Sequence, residues 1–247
     1  MKVKSILVTQ PKPETEKSPY FDLAKKFDLK IDFRPFIHVE GVNAQDFRKT
    51  RVNILDHQAV ILTSRNSVDH FFRLCNELRV NVPETMKYFC LNEATAYYLQ
   101  KYVVFRKRKI FHGKAHFKDL LDIVRKHKDD NYLLPCSNIH GDEIIEILEE
   151  QKIKYTKSIF YNTVTSDLSD LADVYYDILV FFSPYDIKSL FENFPDFKQN
   201  NTRIATFGKT TIEAAEKANL IVNIPAPALQ APSMTMALEN YIKQVNK

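Results

Sequence analysis

The sequence predicts an α/β protein with two parallel-sheet domains. Short runs of β-branched and aliphatic residues alternate with segments whose apolar residues recur every three or four positions. This alternation is typical of strands and helices in a parallel sheet that is covered on both faces. Two similar strand–turn–helix segments, 59–72 and 177–191, stand far apart in the chain. Together they predict one such sheet in each half and an internal duplication.

The first of these segments changes from strand to helix at Ser64. Helical spacing starts at Val68 and continues through Phe71, which makes Ser64 the expected N-cap. In the second segment Ser183 is the expected cap, and Pro184 follows at the first helical position, where its missing N–H costs nothing. Free N–H groups and the positive end of the helix dipole at each helix start favour an anion.

A second pair of turns repeats this pattern around two threonines. Thr95 follows Ser64, and Thr211 follows Ser183, at nearly the same spacing, and each opens a helix after a polar turn. In open parallel sheets ligands bind at the carboxyl ends of strands, where all four turns fall. The alternative is that the four hydroxyls only satisfy backbone groups of their own helices, as ordinary caps do.

The strand pattern predicts how the two domains divide the chain. Strands are expected at 6–8, 30–33, 60–63, 88–91, 103–105, 132–134, near 153, and at 178–182, 204–207 and 220–224. The three C-terminal strands make a thin sheet, which the two N-terminal strands would complete. We therefore expect residues 1–37 and 165–247 to form one discontinuous domain, 42–157 an inserted domain, and 38–41 and 158–164 the connecting strands.

Composition restricts the class of protein. Lys and Arg number 35 and Asp and Glu 31, so the net charge of +4 suits an acidic small molecule and is smaller than that of typical nucleic-acid binders. The three cysteines provide neither a disulfide framework nor zinc-site spacing, which indicates a reducing compartment. No signal peptide and no apolar run of about 18 residues is present. We expect a soluble, cytoplasmic protein.

Several common site signatures are missing. There is no Gly-x-Ser-x-Gly elbow and no glycine-rich nucleotide motif, and the chain has four glycines. His112 and His116 have metal-ligand spacing, but Gly113 separates them and no carboxylate stands at a suitable distance, so we expect no metal. The basic run 106–109 is interpreted as a solvated strand end, with contact to nucleic acid or substrate as the alternative.

Seven short motifs occur in an order that resembles the uroporphyrinogen-III synthase family. They are Ile-Leu-Val-Thr at 6–9, Leu-Thr-Ser-x-x-x-Val at 62–68, Ala-Thr-Ala at 94–96, Phe-Tyr-Asn-Thr at 160–163, Phe-Phe-Ser-Pro at 181–184, Gly-x-Thr-Thr at 208–211 and Pro-Ser-Met-Thr at 232–235. Each motif alone is weak, but their common order is fairly specific. The resemblance covers essentially the whole chain.

The resemblance implies two flavodoxin-like domains joined by a two-stranded β connection. It also implies a lyase of tetrapyrrole and heme biosynthesis that closes hydroxymethylbilane, a linear tetrapyrrole, into uroporphyrinogen III with loss of water and inversion of the last pyrrole ring. The family uses no cofactor and no metal. By this resemblance we expect the small-molecule substrate as partner, no nucleic acid, no membrane, and a monomer.

The site residues follow in part from the resemblance, which matches Thr95, Tyr161, Ser183 and Thr211 directly and gives Ser64 and Arg203 corresponding positions. Tyr161 is the candidate general acid for departure of the terminal hydroxyl group, although a strand tyrosine often only packs. The expected substrate-binding residues, which would hold carboxylates through hydroxyl, amide and basic groups, are Ser64, Thr95, Ser183, Arg203, Lys209, Thr210 and Thr211. Enforced folding of the substrate should contribute more than acid catalysis.

The chain also departs from the family pattern. Gln10 stands where the family often has Arg, Asn92 where it has Gly, Lys209 where Pro is common, and residues 135–138 replace a turn that often carries Gly and Arg. These differences leave open which basic group meets which carboxylate. The alternative function is a non-catalytic two-lobed binding protein for an anionic small molecule. A nucleic-acid module is a third possibility, which would need a contiguous basic face.

Overall fold

The computed structural model describes residues 2–246, which divide into two compact units. One combines the residues up to 38 with those from 164 onward and is called the discontinuous unit here; the other, 39–163, is called the inserted unit. The strands, in chain order, are β1 (Ser5–Val8), β2 (Lys30–Phe33), β3 (Ile37–Gly41), β4 (Ala59–Leu62), β5 (Lys87–Cys90), β6 (Ile110–His112), β7 (Tyr132–Ser137), β8 (Tyr155–Thr165), β9 (Ile178–Phe181), β10 (Arg203–Phe207) and β11 (Val222–Ala226).

Helices separate most of these strands. They are α1 (Pro19–Phe27), α2 (Ala44–Lys49), α3 (Arg65–Glu77), α4 (Glu93–Leu99), α5 (Leu121–Lys126), α6 (Glu143–Glu150), α7 (Pro184–Asn193), α8 (Lys209–Lys217) and α9 (Met234–Val245), with short 3₁₀ turns at Ile54–Asp56, Phe117–Leu120 and Ser169–Leu171. The 3₁₀ turn at Phe117–Leu120 leads directly into α5.

The discontinuous unit contains a parallel five-stranded sheet in the order β11-β10-β9-β1-β2. Alternate residues of its strands pack on opposite faces, as the period of two requires. Ile6 and Val180 belong to one buried cluster, and Leu7 and Leu179 to another. Both faces are therefore covered, and the N-terminal strands complete the sheet formed by the C-terminal ones.

The inserted unit contains a six-stranded sheet in the order β3-β8-β7-β4-β5-β6. Its strands from β8 to β6 pair in parallel, and the residues of β4 are fully buried on both faces. The segments expected to connect the domains, 38–41 and 158–164, lie within β3 and within β8, which are neighbours at one edge. Two largely parallel sheets with helices between their strands confirm the predicted α/β fold class.

One predicted strand is wrong. Residues 103–105 form no strand, because Val104 is 79% exposed and has no partner strand that would bury it. The edge strand is β6, several residues later, where Ile110 pairs with Tyr88 of β5 and is buried. Three consecutive apolar residues were therefore not sufficient to predict a strand, because burial beside a neighbouring strand determines which residues join the sheet.

Candidate functional site

Ser64 caps helix α3 at the carboxyl end of β4 in the inserted unit. Its Oγ accepts a hydrogen bond from the Ser67 N–H at 3.2 Å, and the Ser67 Oγ accepts one from the Ser64 N–H at 3.0 Å. This is a capping box in which both side chains are neutral. The first turn of α3 carries no acidic residue. The positive end of its dipole therefore has no carboxylate in the first turn to compensate it.

Arg65 occupies the first helical position, directly after this cap. Its side chain is exposed, and its guanidinium lies over the Tyr98 ring of α4 at 5.3 Å. Cation–π packing of this kind orients a guanidinium and leaves its N–H groups free for an anion. Arg65 is not among the binding residues expected from sequence. Its place immediately after a predicted anion-friendly cap was the signal that would have identified it.

Tyr161 of β8 meets Ser64 at this helix start. The Tyr161 hydroxyl lies near the Ser64 side chain, and burial raises the pKa of the phenol, with Ser64 opposing part of that rise. The ring is 7% exposed and stacks on the ring of His70, with centroids 5.0 Å apart and planes 20° apart. The structure thus brings together the predicted general acid and one predicted binding residue.

Thr95 lies in the neighbouring turn after β5, but its hydroxyl is used locally. β4 and β5 are adjacent and parallel, so the turns that follow them share one edge. Asn92 caps the short helix α4, and its Oδ1 accepts from the Thr95 N–H at 2.9 Å and from the Thr95 Oγ1 at 3.0 Å. Thr95 is 3% exposed. Its side chain shapes the turn and presents no hydroxyl at the surface.

In the discontinuous unit, the cap at Ser183 differs from the cap at Ser64. The Ser183 Oγ accepts from the Tyr185 N–H at 3.0 Å. The carboxylate of Asp186 accepts from the N–H groups of Phe182 at 2.9 Å and Ser183 at 3.0 Å, and from the Thr9 hydroxyl at 3.0 Å. A carboxylate of the chain itself thus occupies the positive end of α7. The two copies of the motif therefore differ in the charge at the helix start.

Helix α8 starts at Gly208 without a side-chain cap. Gly208 has φ +89°, a conformation that favours glycine, and no side chain accepts from the first N–H groups. Lys209 and Thr210 are exposed, and the first turn carries no acid. Lys209 Nζ lies 3.8 Å from a carboxylate oxygen of Glu213 one turn later. Thr211 is 1% exposed, so its hydroxyl, like that of Thr95, faces the interior.

Arg203 lies at the other edge of the same sheet. It is the first residue of β10, whereas Gly208 follows the last residue of that strand. Its side chain is 13% exposed, and its Nη1 lies 3.9 Å from a carboxylate oxygen of Asp177. The same carboxylate accepts from backbone N–H groups at the start of β1. The structure therefore does not bring Arg203 together with Ser183, Lys209 and Thr210.

The chain matches the model of a known protein family. A family model described as uroporphyrinogen-III synthase HemD matches residues 19–235. The chain belongs to the uroporphyrinogen-III synthase family. This confirms the resemblance carried by the seven motifs and, with it, the prediction of a uroporphyrinogen-III synthase in tetrapyrrole biosynthesis. Uroporphyrinogen-III synthases act on a tetrapyrrole, and nothing supports the alternative of a binding protein without catalysis.

Solved uroporphyrinogen-III synthases share this fold. The enzyme from Helicobacter pylori is 17% identical with a TM-score of 0.63, and the alignment covers 98% of this chain and 99% of that one. A mutant enzyme from the extremely thermophilic bacterium Thermus thermophilus is 13% identical with a TM-score of 0.57, and the alignment again covers 98% and 99% of the two chains. A search of curated protein sequences finds no significant match.

Two further properties concern the described residues alone. Within residues 2–246 no group of three or more His, Cys, Asp or Glu side chains is placed to hold a metal ion. In the same part of the chain, none of the helices has the length and apolar composition that crossing a bilayer requires.

Proposed function

We propose that this chain cyclises hydroxymethylbilane to uroporphyrinogen III with loss of water and inversion of the last pyrrole ring, which makes it a cyclising hydro-lyase. The observation that carries the proposal is the pairing of Tyr161 with Ser64. A phenol whose pKa is raised by burial lies beside the cap of a helix that has no acid in its first turn. A proton donor therefore lies beside a helix N-terminus that can bind the substrate's carboxylates.

Tyr161 serves as the general acid in the first step. The bond between the terminal methylene carbon and its hydroxyl oxygen breaks, the Tyr161 proton goes to that oxygen, and water leaves. The products are an azafulvene cation and a Tyr161 phenolate. The Ser64 hydroxyl donates to this phenolate near the positive end of α3, which stabilises the charge that develops there.

Ring closure follows without further acid catalysis. The substituted carbon of the last pyrrole attacks the azafulvene carbon and forms a spiro intermediate, which fragments and recloses with that ring reversed. The closing pyrrole carbon then loses a proton, and Tyr161 regains one, so that substrate minus water equals product. Because the chemistry needs little covalent help, most of the acceleration comes from holding the substrate in a folded conformation.

Half-buried and exposed groups at the helix starts bind the carboxylates of the substrate. In the inserted unit these are Ser64 and, in addition to the residues expected from sequence, Arg65. In the discontinuous unit they are Ser183, Lys209 and Thr210. Lys209 and Arg65 add charge to hydrogen bonds from hydroxyl and backbone N–H groups, and charge-assisted bonds are roughly twice as strong as neutral ones. Each unit thus contributes carboxylate contacts of its own.

Thr95 and Thr211 contribute through their turns. Their side chains are buried, so we propose that they hold the turns in which N–H groups meet the substrate. Arg203 is not included in the proposed binding set, because it pairs with Asp177 at the opposite edge of the sheet. Its role is to stabilise the fold.

The oligomeric state and the cellular compartment are part of the proposed function. We propose a cytoplasmic monomer that needs neither cofactor nor nucleic acid. Three free cysteines, all buried, fit a reducing compartment. Light scattering of the purified protein, with and without substrate, measures the mass directly; a stable dimer would contradict the monomer.

The product isomer tests the function. The purified chain is incubated with hydroxymethylbilane made enzymatically, and the oxidised products are separated into the type I and type III isomers. The expected result is type III product, formed faster than spontaneous closure. Type I product alone, at the spontaneous rate, contradicts the proposal. Saturable tetrapyrrole binding in such a preparation would instead favour a binding protein without catalysis.

A further inference from the structure

His70 contacts the proposed general acid, yet the proposed mechanism gives it no role. It lies on α3, and its half-buried ring stacks almost parallel to that of Tyr161, 5.0 Å away. Tyr161 thus has two neighbours at the same helix. The Ser64 side chain lies near its hydroxyl, and His70 packs against the face of its ring.

Arg73 determines which ring nitrogen of His70 carries the proton. The Arg73 Nε–H donates to His70 Nδ1 at 3.2 Å. A nitrogen that accepts a hydrogen bond carries no proton, so the neutral ring has its proton on Nε2. A doubly protonated His70 would lose this bond and place two positive groups side by side.

Arg73 is itself held in place by several groups of the inserted unit. Its Nη2 donates to the carbonyl of Val42 at 2.8 Å and to that of Phe160, the residue before Tyr161, at 3.4 Å. Its Nη1 forms an ion pair with Glu77 one turn later on α3. A Cβ on Gly41 would lie 2.5 Å from the guanidinium carbon, so the arginine packs directly on that backbone. The donor to His70 therefore has a well-defined position.

The charges around His70 favour its neutral form. Burial lowers the pKa of His70 most, and the positive charge of Arg73 lowers it further, while Asp69 and Glu77 on the same helix act in the opposite direction. From β8, the neighbour is Tyr161, whose own pKa is raised. The two lowering effects prevail, which agrees with the hydrogen bond that Nδ1 accepts.

We propose that His70 is a positioning residue for Tyr161: held neutral by Arg73, its ring fixes the plane of the phenol so that the Tyr161 hydroxyl stays on the Ser64 cap. This inference rests on the proposed function, in which Tyr161 is the general acid. A neutral ring matters because the first step creates a cation next to Tyr161. An imidazolium stacked on the phenol, with ring centroids 5.0 Å apart, would repel that cation and oppose its formation.

Two substitutions separate the ring from its charge. His70→Phe keeps an aromatic face, so kcat at neutral pH should stay within about twofold of the wild type. In the wild type, protonation of His70 at low pH should lower kcat. Phenylalanine cannot be protonated, so this fall should be absent in the variant. His70→Ala removes the face, and kcat should fall about three- to tenfold with little change in KM, since the ring that orients the phenol is lost.

Phe72→Ala is the matched control. Phe72 also stacks, on Tyr102, from the same helix, with centroids 4.6 Å apart. Its removal costs stability without touching Tyr161, so kcat should not change. Equal losses of kcat in His70→Ala and Phe72→Ala would overturn the proposal, because they would show a general effect on α3. An unchanged kcat in His70→Ala would overturn it as well.

¹⁵N NMR of the free protein gives a readout that does not depend on turnover. The His70 ring should show an unprotonated Nδ1 and a protonated Nε2 at neutral pH, and it should titrate below the ordinary histidine pKa. A proton on Nδ1, or a charged ring at neutral pH, would overturn the proposal. If the wild-type chain makes no type III product, the proposed function fails, and this spectrum still reports separately whether Arg73 holds His70 neutral.

Discussion

Asp186 accepts a hydrogen bond from Thr9 at 3.0 Å, and this bond joins the residue after β1 to the first turn of α7. The same carboxylate oxygen accepts from the N–H groups of Phe182 and Ser183. At the equivalent place in α3 stands Ser67, which is neutral. The two copies of the strand–turn–helix motif are therefore alike in backbone and different in charge.

Replacing Asp186 tests how its buried charge changes the free energy of unfolding. Burial raises the pKa of Asp186. The folded state therefore binds its proton more tightly than the unfolded state, and the stability contributed by this group falls as pH rises from the unfolded pKa through the folded one. Asp186→Asn removes that dependence, so its free energy of unfolding should rise relative to the wild type as pH increases through this window. Urea denaturation at a series of pH values measures it.

Asp186→Ala is the companion variant. It removes the acceptor for all three donors and should lower the free energy of unfolding by about 1–2 kcal/mol, as the loss of a helix cap does. If both variants follow the wild-type pH dependence, the buried carboxylate is not the group responsible.

Tyr161→Phe should slow the reaction strongly. General acid catalysis typically contributes about 10²–10⁴-fold, and the lower end is expected here because positioning carries most of the acceleration. Since burial raises the pKa of Tyr161, the alkaline limb of the wild-type rate should lie above the usual tyrosine range and be absent in the variant. Tyr155→Phe, on the same strand with its hydroxyl on Glu149, is the control and should keep kcat. Equal rates for the two variants would exclude Tyr161 as the acid.

Lys209→Gln should raise KM and leave kcat nearly unchanged. Lys209 is exposed at the uncapped start of α8, and loss of one charge there should weaken substrate binding about two- to tenfold at low salt. The difference should shrink in salt, since the Debye length is about 8 Å at physiological ionic strength. Lys217→Gln, at the other end of the same helix, is the control. A similar rise in KM for both would indicate net charge alone.

Arg203→Ala should affect stability and leave KM unchanged. The side chains of Arg203 and Asp177 are 13% and 8% exposed, and removing one member of a largely buried pair leaves the other uncompensated. A loss of about 1–3 kcal/mol in the free energy of unfolding is expected, because the two atoms are 3.9 Å apart and the pairing is not tight. A raised KM with wild-type stability would support the original expectation that Arg203 binds substrate.

Gly41→Ala should disturb His70 from a distance. The new methyl group would meet the Arg73 guanidinium at 2.5 Å and displace it. His70 then loses its donor at Nδ1 and part of the neighbouring positive charge, so its pKa should move up toward the ordinary value, measurable by NMR titration. Gly141→Ala is the control, because nothing lies within 4 Å of its Cβ. An unchanged His70 titration in the Gly41 variant would show that Arg73 adapts.

The Ser64 motif was predictable because its evidence is local. The change from strand to helical period, a hydroxyl at the boundary and a missing acid in the first turn can all be read along the chain. The Asp186 cap was also readable, since Ser-x-x-Asp before an apolar run is a capping-box pattern. Local hydrogen bonds connect residues three positions apart, so their pattern survives in the sequence.

Other features had no local signal. Residues 103–105 are as apolar as many strands, but Ile110 is the residue that finds a place beside β5. Arg203 is the first residue of β10 and Gly208 follows its last residue, so the two lie at opposite edges of the sheet although they are close in sequence. Likewise, nothing around His70 in the sequence points to Tyr161, which lies far along the chain.

The order of strands and helices, the four hydroxyl turns, the family motifs and the absence of a strong charge imbalance were determined by the sequence alone. Tertiary structure decided which hydroxyls reach the surface, which helix start carries its own carboxylate, and which ring packs on Tyr161. The physical reason is how far apart in the sequence the interacting residues lie. Secondary structure and caps depend on neighbours a few residues away, whereas burial, pKa and ring stacking depend on segments that meet only when the sheet assembles.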